Sequence, residues 1–313
     1  THWHHLFTTR QLFYGGLFSR SVSSSKMPEA VILLLGRLTA SNNRLSRWKP
    51  SQGGGIGGVV EVFSNQALNT LFDFGSRSLL TMYSLALSFD PEFFGPVNSW
   101  ITACDSRVVS QKSNIWITDP PYADAVNYHE LSEFFLAWYE KHLPRLFPEW
   151  YTDSKRQLAV KGDDPIEFRK AMVDCYRRLV EHMPENGLQV VMFTHQDAAV
   201  WADLTLILWA AGLRVTAAWC IATETDSALK KGNYVQGTVL LVLRKRTEQE
   251  PVFLDEIVPR VESEVKRQLD SMLALEDESD PSFGDADYQL AAYAAALRVL
   301  TERPIEEIDP AKE

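Results

Sequence analysis

The sequence predicts an α/β fold, an open sheet with helices added at both ends of the chain. Three observations carry this. Apolar runs of strand length stand at Ser113 to Thr118, Leu188 to Phe193, Leu213 to Thr223 and Gly237 to Arg244, and such runs read as buried strands. Stretches with the helical apolar period lie between or beside them, at 126–143, 165–183 and 198–211. The first run stops abruptly at Asp119-Pro120-Pro121-Tyr122, because neither proline donates to a sheet ladder and each fixes its own φ. A carboxylate, a rigid bend and an aromatic ring are thereby presented at the carboxyl tip of a strand, where open α/β sheets bind ligands.

Residues 1–100 read as a mainly helical region carrying a glycine-rich loop. Two helical patterns over 5–39 are separated by the polar break Ser21 to Lys26. Thr8 or Thr9 is the expected N-cap of the first, with Arg10 in its first turn. The apolar run Met27 to Gly36 falls short of the roughly 18 residues a membrane span requires, so it is expected to be a core helix. His2, His4 and His5 have no acidic or cysteine partners at ligand spacing and read as surface histidines, with no metal site expected. The glycine-rich stretch Ser51 to Gly58 follows Arg47-Trp48-Lys49-Pro50 and precedes a strand-like run. A phosphate-cradling loop instead follows a strand and opens a helix, so this stretch reads as a mobile loop. Residues 76–100 suggest irregular helix and loop. Ile101 to Cys104 reads as a short strand with Asp105 at its end, a cofactor contact or a turn aspartate.

Beyond the first strand, Leu131, Phe134, Phe135 and Trp138 recur at helical spacing and are expected in the core. Pro184 to Gly187 closes the next helix, and Gly212 the one after it. His195, just past the second strand, either lines a pocket or is a satisfied structural histidine. The last two strands are expected to pair as an antiparallel hairpin around the loop 224–236, which contains Lys230 and Lys231. Residues 253–275 and Asp285 to Thr301 read as helices joined by an acidic linker, together forming a C-terminal helical appendage over 249–313.

Composition narrows the class. The chain has 313 residues, 45% of them hydrophobic, and a net charge of −10, enough for one large or two modest domains. Three scattered cysteines argue for a reducing compartment, hence a cytoplasmic location, and against a disulfide scaffold. They also cannot form a four-ligand zinc ribbon. There is no membrane-length apolar run and no leader pattern, and the first residue, Thr1, leads to the expectation of an upstream portion. The acidic balance disfavours phosphate contacts overall. The early cluster Arg44, Arg47 and Lys49 reads as solvated surface.

Asp119-Pro120-Pro121-Tyr122 resembles the signature of amino-group methyltransferases that use S-adenosylmethionine, above all adenine-N6 DNA methylases. The continuation Ala123 to Trp138, the opening Thr1 to Leu12 and the stretch Phe63 to Asn69 are similar to the large prokaryotic adenine-specific DNA methylases that contain a zinc ribbon, with this chain corresponding to their C-terminal portion. The resemblance implies a Rossmann-like S-adenosylmethionine-dependent methyltransferase sheet, complete or incomplete, over 101–248. It implies a catalytic tip of Asp119, Pro120, Pro121 and Tyr122, with Tyr122 stacked on an adenine flipped out of duplex DNA. Tyr128 and His195 would line the base pocket, and Asp119, Thr8, Arg10 and Asp105 would face the cofactor. It also suggests a role in DNA modification or defence. Two family features are missing from these residues, the zinc ribbon and the Phe-x-Gly-x-Gly cofactor loop, which an upstream segment or partner subunit would have to supply. Cytosine N4, RNA or protein remain alternative acceptors, as does a catalytically incomplete subunit that binds substrate or a partner.

Overall fold

Local signals account for where the helices start and stop, and the computed structural model describes them over residues 2–49, 58–63, 99, 101–102, 104–121, 128–150, 160, 164–195, 197–222, 237–275 and 283–308. The chain forms two compact units, Thr1–Ala103 with Asn127–Ala159 and Cys104–Val126 with Val160–Glu313. Residues 127–159, which follow the Asp-Pro-Pro-Tyr segment directly, thus belong with the N-terminal unit. Among the described residues no helix is long and apolar enough to cross a membrane.

In the first unit, a 3-10 turn (Trp3–Leu6) leads into α1 (Thr9–Ser24). Thr8 is its N-cap: the Gln11 amide donates to Thr8 Oγ1 at 3.3 Å, and the Thr8 amide donates to Gln11 Oε1 at 2.8 Å. This reciprocal pair satisfies two amides that the helix cannot. Helix α2 (Pro28–Ser41) begins with proline at its first position, where a missing N–H costs nothing. It is amphipathic, with Ile32, Leu35 and Leu38 buried and Leu33 59% exposed. Asn43, fully buried, closes it. Its Nδ2 donates to the carbonyls of Thr39 and Ala40, and its Oδ1 accepts from the amides of Leu45 and Ser46. The strands β1 (Arg47–Lys49) and β2 (Gly58–Val60) pair antiparallel, which bears out the strand-like run after the glycines; residues 51–57 lie outside the described residues. Helices α3 (Tyr128–Tyr139) and α4 (Leu143–Leu146) are the other described helices of the unit. Phe134 is the hub of its aromatic core, stacked on Phe7 at 5.5 Å and edge-on to Trp3 and Phe63.

The second unit is built on a four-stranded mixed sheet of β3 (Ile115–Thr118), β4 (Leu188–Phe193), β5 (Leu213–Ala222) and β6 (Gly237–Lys245). Its order is β3-β4-β6-β5, with β3 and β4 parallel and β6 antiparallel to both neighbours. The expected antiparallel pairing of the last two strands is therefore present. Helix α5 (Pro165–Glu181) is capped by Asp164, whose Oδ1 accepts from the Ile166 and Glu167 amides. Helix α6 (Ala198–Ala210) is capped in the same way by Asp197 and ends at Gly212, which takes a φ of +82°. That left-handed conformation is one glycine adopts without a Cβ penalty. Helices α7 (Leu254–Leu273) and α8 (Asp285–Leu300) match the two C-terminal helical patterns.

One face of this sheet is packed. Phe168, Met172, Tyr176 and Leu179 of α5, Trp201, Leu204, Ile207 and Leu208 of α6, and Leu290, Ala294 and Leu297 of α8 share a core with Val191, Phe193, Leu241 and Leu243. The C-terminal helix is thus part of the sheet's own core.

Two expectations are corrected. The run before Asp119 was expected to be a buried strand, yet among the described residues β3 is an edge strand, with Ile115 53% and Ile117 69% exposed. Alternation sends Trp116 and Thr118 toward the core face and both isoleucines to the other, which three apolar letters in a row do not disclose. Ile101, Thr102 and Cys104 are not in a strand. Asp105 instead caps a 3-10 turn (Ser106–Val108) by accepting from the Arg107 amide.

Candidate functional site

The parallel pair β3–β4 decides where the candidate site lies. With Thr118 level with Val191, the carboxyl ends of both strands open at the same end of the sheet, so Asp119 to Pro121 and Thr194 to His195 are delivered there together. Asp119 is exposed and has no hydrogen-bond or ion-pair partner among the described residues. Pro120 is buried and Pro121 exposed. Tyr122 lies outside the described residues.

Beneath the tip, the Thr118 hydroxyl lies 3.5 Å from the phenol oxygen of Tyr176. Burial pushes the Tyr176 hydroxyl far above its ordinary range, and the Asp119 charge adds to the shift, so it remains a neutral hydrogen-bonding group. Pro120 and Pro121 form one wall of a small cavity with Met172, Phe193 and Asp203, about 20 Å³ in volume, room for roughly one water. Asp203 is held by Arg169 at 2.9 Å. Neither Tyr176 nor the Arg169–Asp203 pair was singled out from sequence. Tyr176 falls on the apolar stripe of α5, and the ion pair joins two helices 34 positions apart, a spacing with no local signal.

The other candidates divide between the units. His195 is half-buried: its Nδ1 accepts from the Asp197 amide at 3.0 Å, and its carbonyl accepts from the Trp201 indole at 2.8 Å. Nδ1 acting as acceptor places the proton of the neutral ring on Nε2. The ring therefore helps to seat the start of α6. Asp105 is gripped by the Arg107 guanidinium through contacts of 2.8 to 3.1 Å, and this hydrogen bonding holds its carboxyl below the usual range. Its geometry is that of a turn aspartate. Nearby on α5, burial pushes the Cys175 thiol up to about 11, so it is protonated at neutral pH.

No protein-family model, curated protein or solved structure matches this chain.

The assignment of chemistry consequently rests on the residues themselves. Thr8 (half-buried, committed to its cap), Arg10 (exposed) and Tyr128 (64% exposed, first residue of α3) belong to the unit that does not contain Asp119. The second unit brings together Asp119, Pro120, Pro121 and His195. Asp105 is in the same unit, but its carboxylate is already occupied by Arg107. The cavity against the prolines is far smaller than a nucleoside cofactor needs, so this cavity is not itself a place for S-adenosylmethionine. Among the described residues, no cluster of three histidine, cysteine or acidic side chains is placed to hold a metal ion. What this tip offers is a free carboxylate beside two rigid peptide units, an acceptor array for the hydrogens of an amine.

Proposed function

We propose that the chain is an S-adenosylmethionine-dependent methyltransferase acting on the exocyclic N6 amine of adenine in DNA, with Asp119 to Tyr122 as its acceptor-binding tip. The observation that carries this reading is the unpartnered Asp119 carboxylate at the carboxyl end of β3, beside the parallel strand β4. An aromatic amine is a poor nucleophile because its lone pair is delocalised into the ring. Asp119 and the Pro120 carbonyl would accept the two amine hydrogens, favouring a pyramidal nitrogen with a directed lone pair. The prolines hold that geometry without reorganisation. Tyr122 would stack on the extruded base, a contact of about 1–3 kcal/mol. The cofactor, when bound, supplies the methyl group.

The exposed position of Asp119 makes a clean test. Asp119→Ala should leave the unfolding temperature nearly unchanged, since exposed substitutions shift stability by only about 0.5 kcal/mol, while cutting methylation of duplex DNA by about 100-fold or more. N6-methyladenine in the product supports the proposal; full activity in the variant overturns it. Methylated cytosine, RNA or protein would reassign the acceptor.

The edge position of β3 and the small cavity favour a second reading, in which this chain is catalytically incomplete and the cofactor is held with help from another segment or subunit. Calorimetric titration with S-adenosylmethionine separates the two. Binding near 1 μM, about −8 kcal/mol, supports a self-sufficient enzyme, and no heat from a folded chain supports the incomplete one.

A further inference from the structure

We propose that the edge of the sheet opposite Asp119 carries a second site, which binds an amphipathic oxyanion: a carboxylate or phosphate on an apolar body. Two cavities of about 380 Å³ each meet at the Glu264–Arg298 ion pair, in the angle between β5, α7 and α8. One is polar, walled by Arg214, Thr216, Arg260 and Glu302. The other is apolar, walled by Ala218, Trp219, Met272, Phe283 and Ala294. A cavity of about 150 Å³ already admits benzene, so the apolar half has space for a chain or ring.

The charges do not balance. Glu264 accepts from Arg267 at 2.6 Å and Arg298 at 2.9 Å, and Glu302 pairs with Arg260. Among the described residues, four guanidinium groups with two carboxylates leave two positive charges there, in a chain whose net charge is −10. Arg214 is the unmatched group. Its side chain makes no hydrogen bond or ion pair among the described residues, and its Nε is buried without a partner. Directly across the ladder stands Arg244, whose guanidinium donates to the Asn186 carbonyl at 3.0 Å. Like charges opposite one another destabilise a sheet, and a buried guanidinium donor without an acceptor is costly. An oxyanion bridging Arg214 and Arg260 removes both penalties, since guanidinium presents a planar fork that matches its geometry. Its apolar body would extend past Arg298 toward Trp219.

The test uses the full chain with octanoate and octyl phosphate as probes and octanol as the neutral control, read by calorimetry. At least one of the two anions is expected to bind at roughly 1 mM or below, with octanol binding at least about tenfold more weakly. Arg214→Gln should weaken the anion about tenfold. Arg260→Gln, on the partly exposed surface of α7, provides a second variant should Arg214→Gln fail to fold. Failure of both anions to bind the wild-type chain, or unchanged affinity in a folded Arg260→Gln protein and in any folded Arg214→Gln protein, overturns the proposal. Asp119→Ala should bind the probes like wild type, so this result and the methyl-transfer result are independent.

Discussion

Asp105 shows how a single carboxylate can be consumed by its neighbour. Its oxygens accept from Nε and a terminal nitrogen of Arg107 and from the Arg107 amide, so protonating it would forfeit charge-assisted bonds. The folded-state carboxyl is consequently harder to protonate than the unfolded one. A depressed acid contributes stability above the unfolded carboxyl's range, near pH 4, and loses it as pH falls through the lower folded value. Urea midpoints at pH 6 should therefore be lower for Asp105→Asn than for wild type, and the gap should narrow toward pH 3. A gap independent of pH would mean that the pair contributes nothing through its charge. Asp119 is the contrasting case, an aspartate in the same unit with no hydrogen-bond or ion-pair partner among the described residues. The motif around it marked it from sequence, whereas nothing in the letters distinguishes the occupied Asp105 from a free one.

At the scale of elements, the tightest packing in the first unit is bought with glycine. A Cβ at Gly15 would stand 2.5 Å from the Trp138 ring, and one at Gly36 would collide with the Tyr139 hydroxyl. Adjacent aromatic residues of α3 therefore sit over glycines of α1 and α2. Gly36→Ala should destabilise the protein by about 1–3 kcal/mol, the usual cost of overpacking, and Tyr139→Phe should recover part of that loss. Additive effects in the double mutant would show that the hydroxyl is not the obstacle. Helix ends were legible in sequence because their causes are local: Thr8 before Gln11 and Gly212 after an apolar helix need only neighbouring residues to act. The docking of Trp138 on Gly15 joins positions 123 apart in the chain, and no periodicity within either helix reports it.

Across the whole molecule, strand identity was readable and strand placement was not. All four sheet strands and the antiparallel β5–β6 pair follow from apolar runs and turns. The edge position of β3 depends on which strands lie beside it, a property of the sheet and not of the run Ile115 to Thr118. Hydrogen exchange should reveal the difference: amides of β3, bonded on one side, should exchange faster than those of β4 and β6, which lie between two neighbours. Equal protection would mean that another strand covers β3 in solution. The site divides similarly. Asp119 was visible through its motif, while Tyr176 beneath it and Asp203 beside the prolines acquire meaning only when α5 and α6 fold over the sheet. The prolines that end β3 also limit growth. An unpaired edge is a template on which stray chains can add, yet β3, an edge among the described residues, offers only a four-residue strand ahead of two positions without an N–H, so the rigid bend that shapes the tip also guards the edge against aggregation.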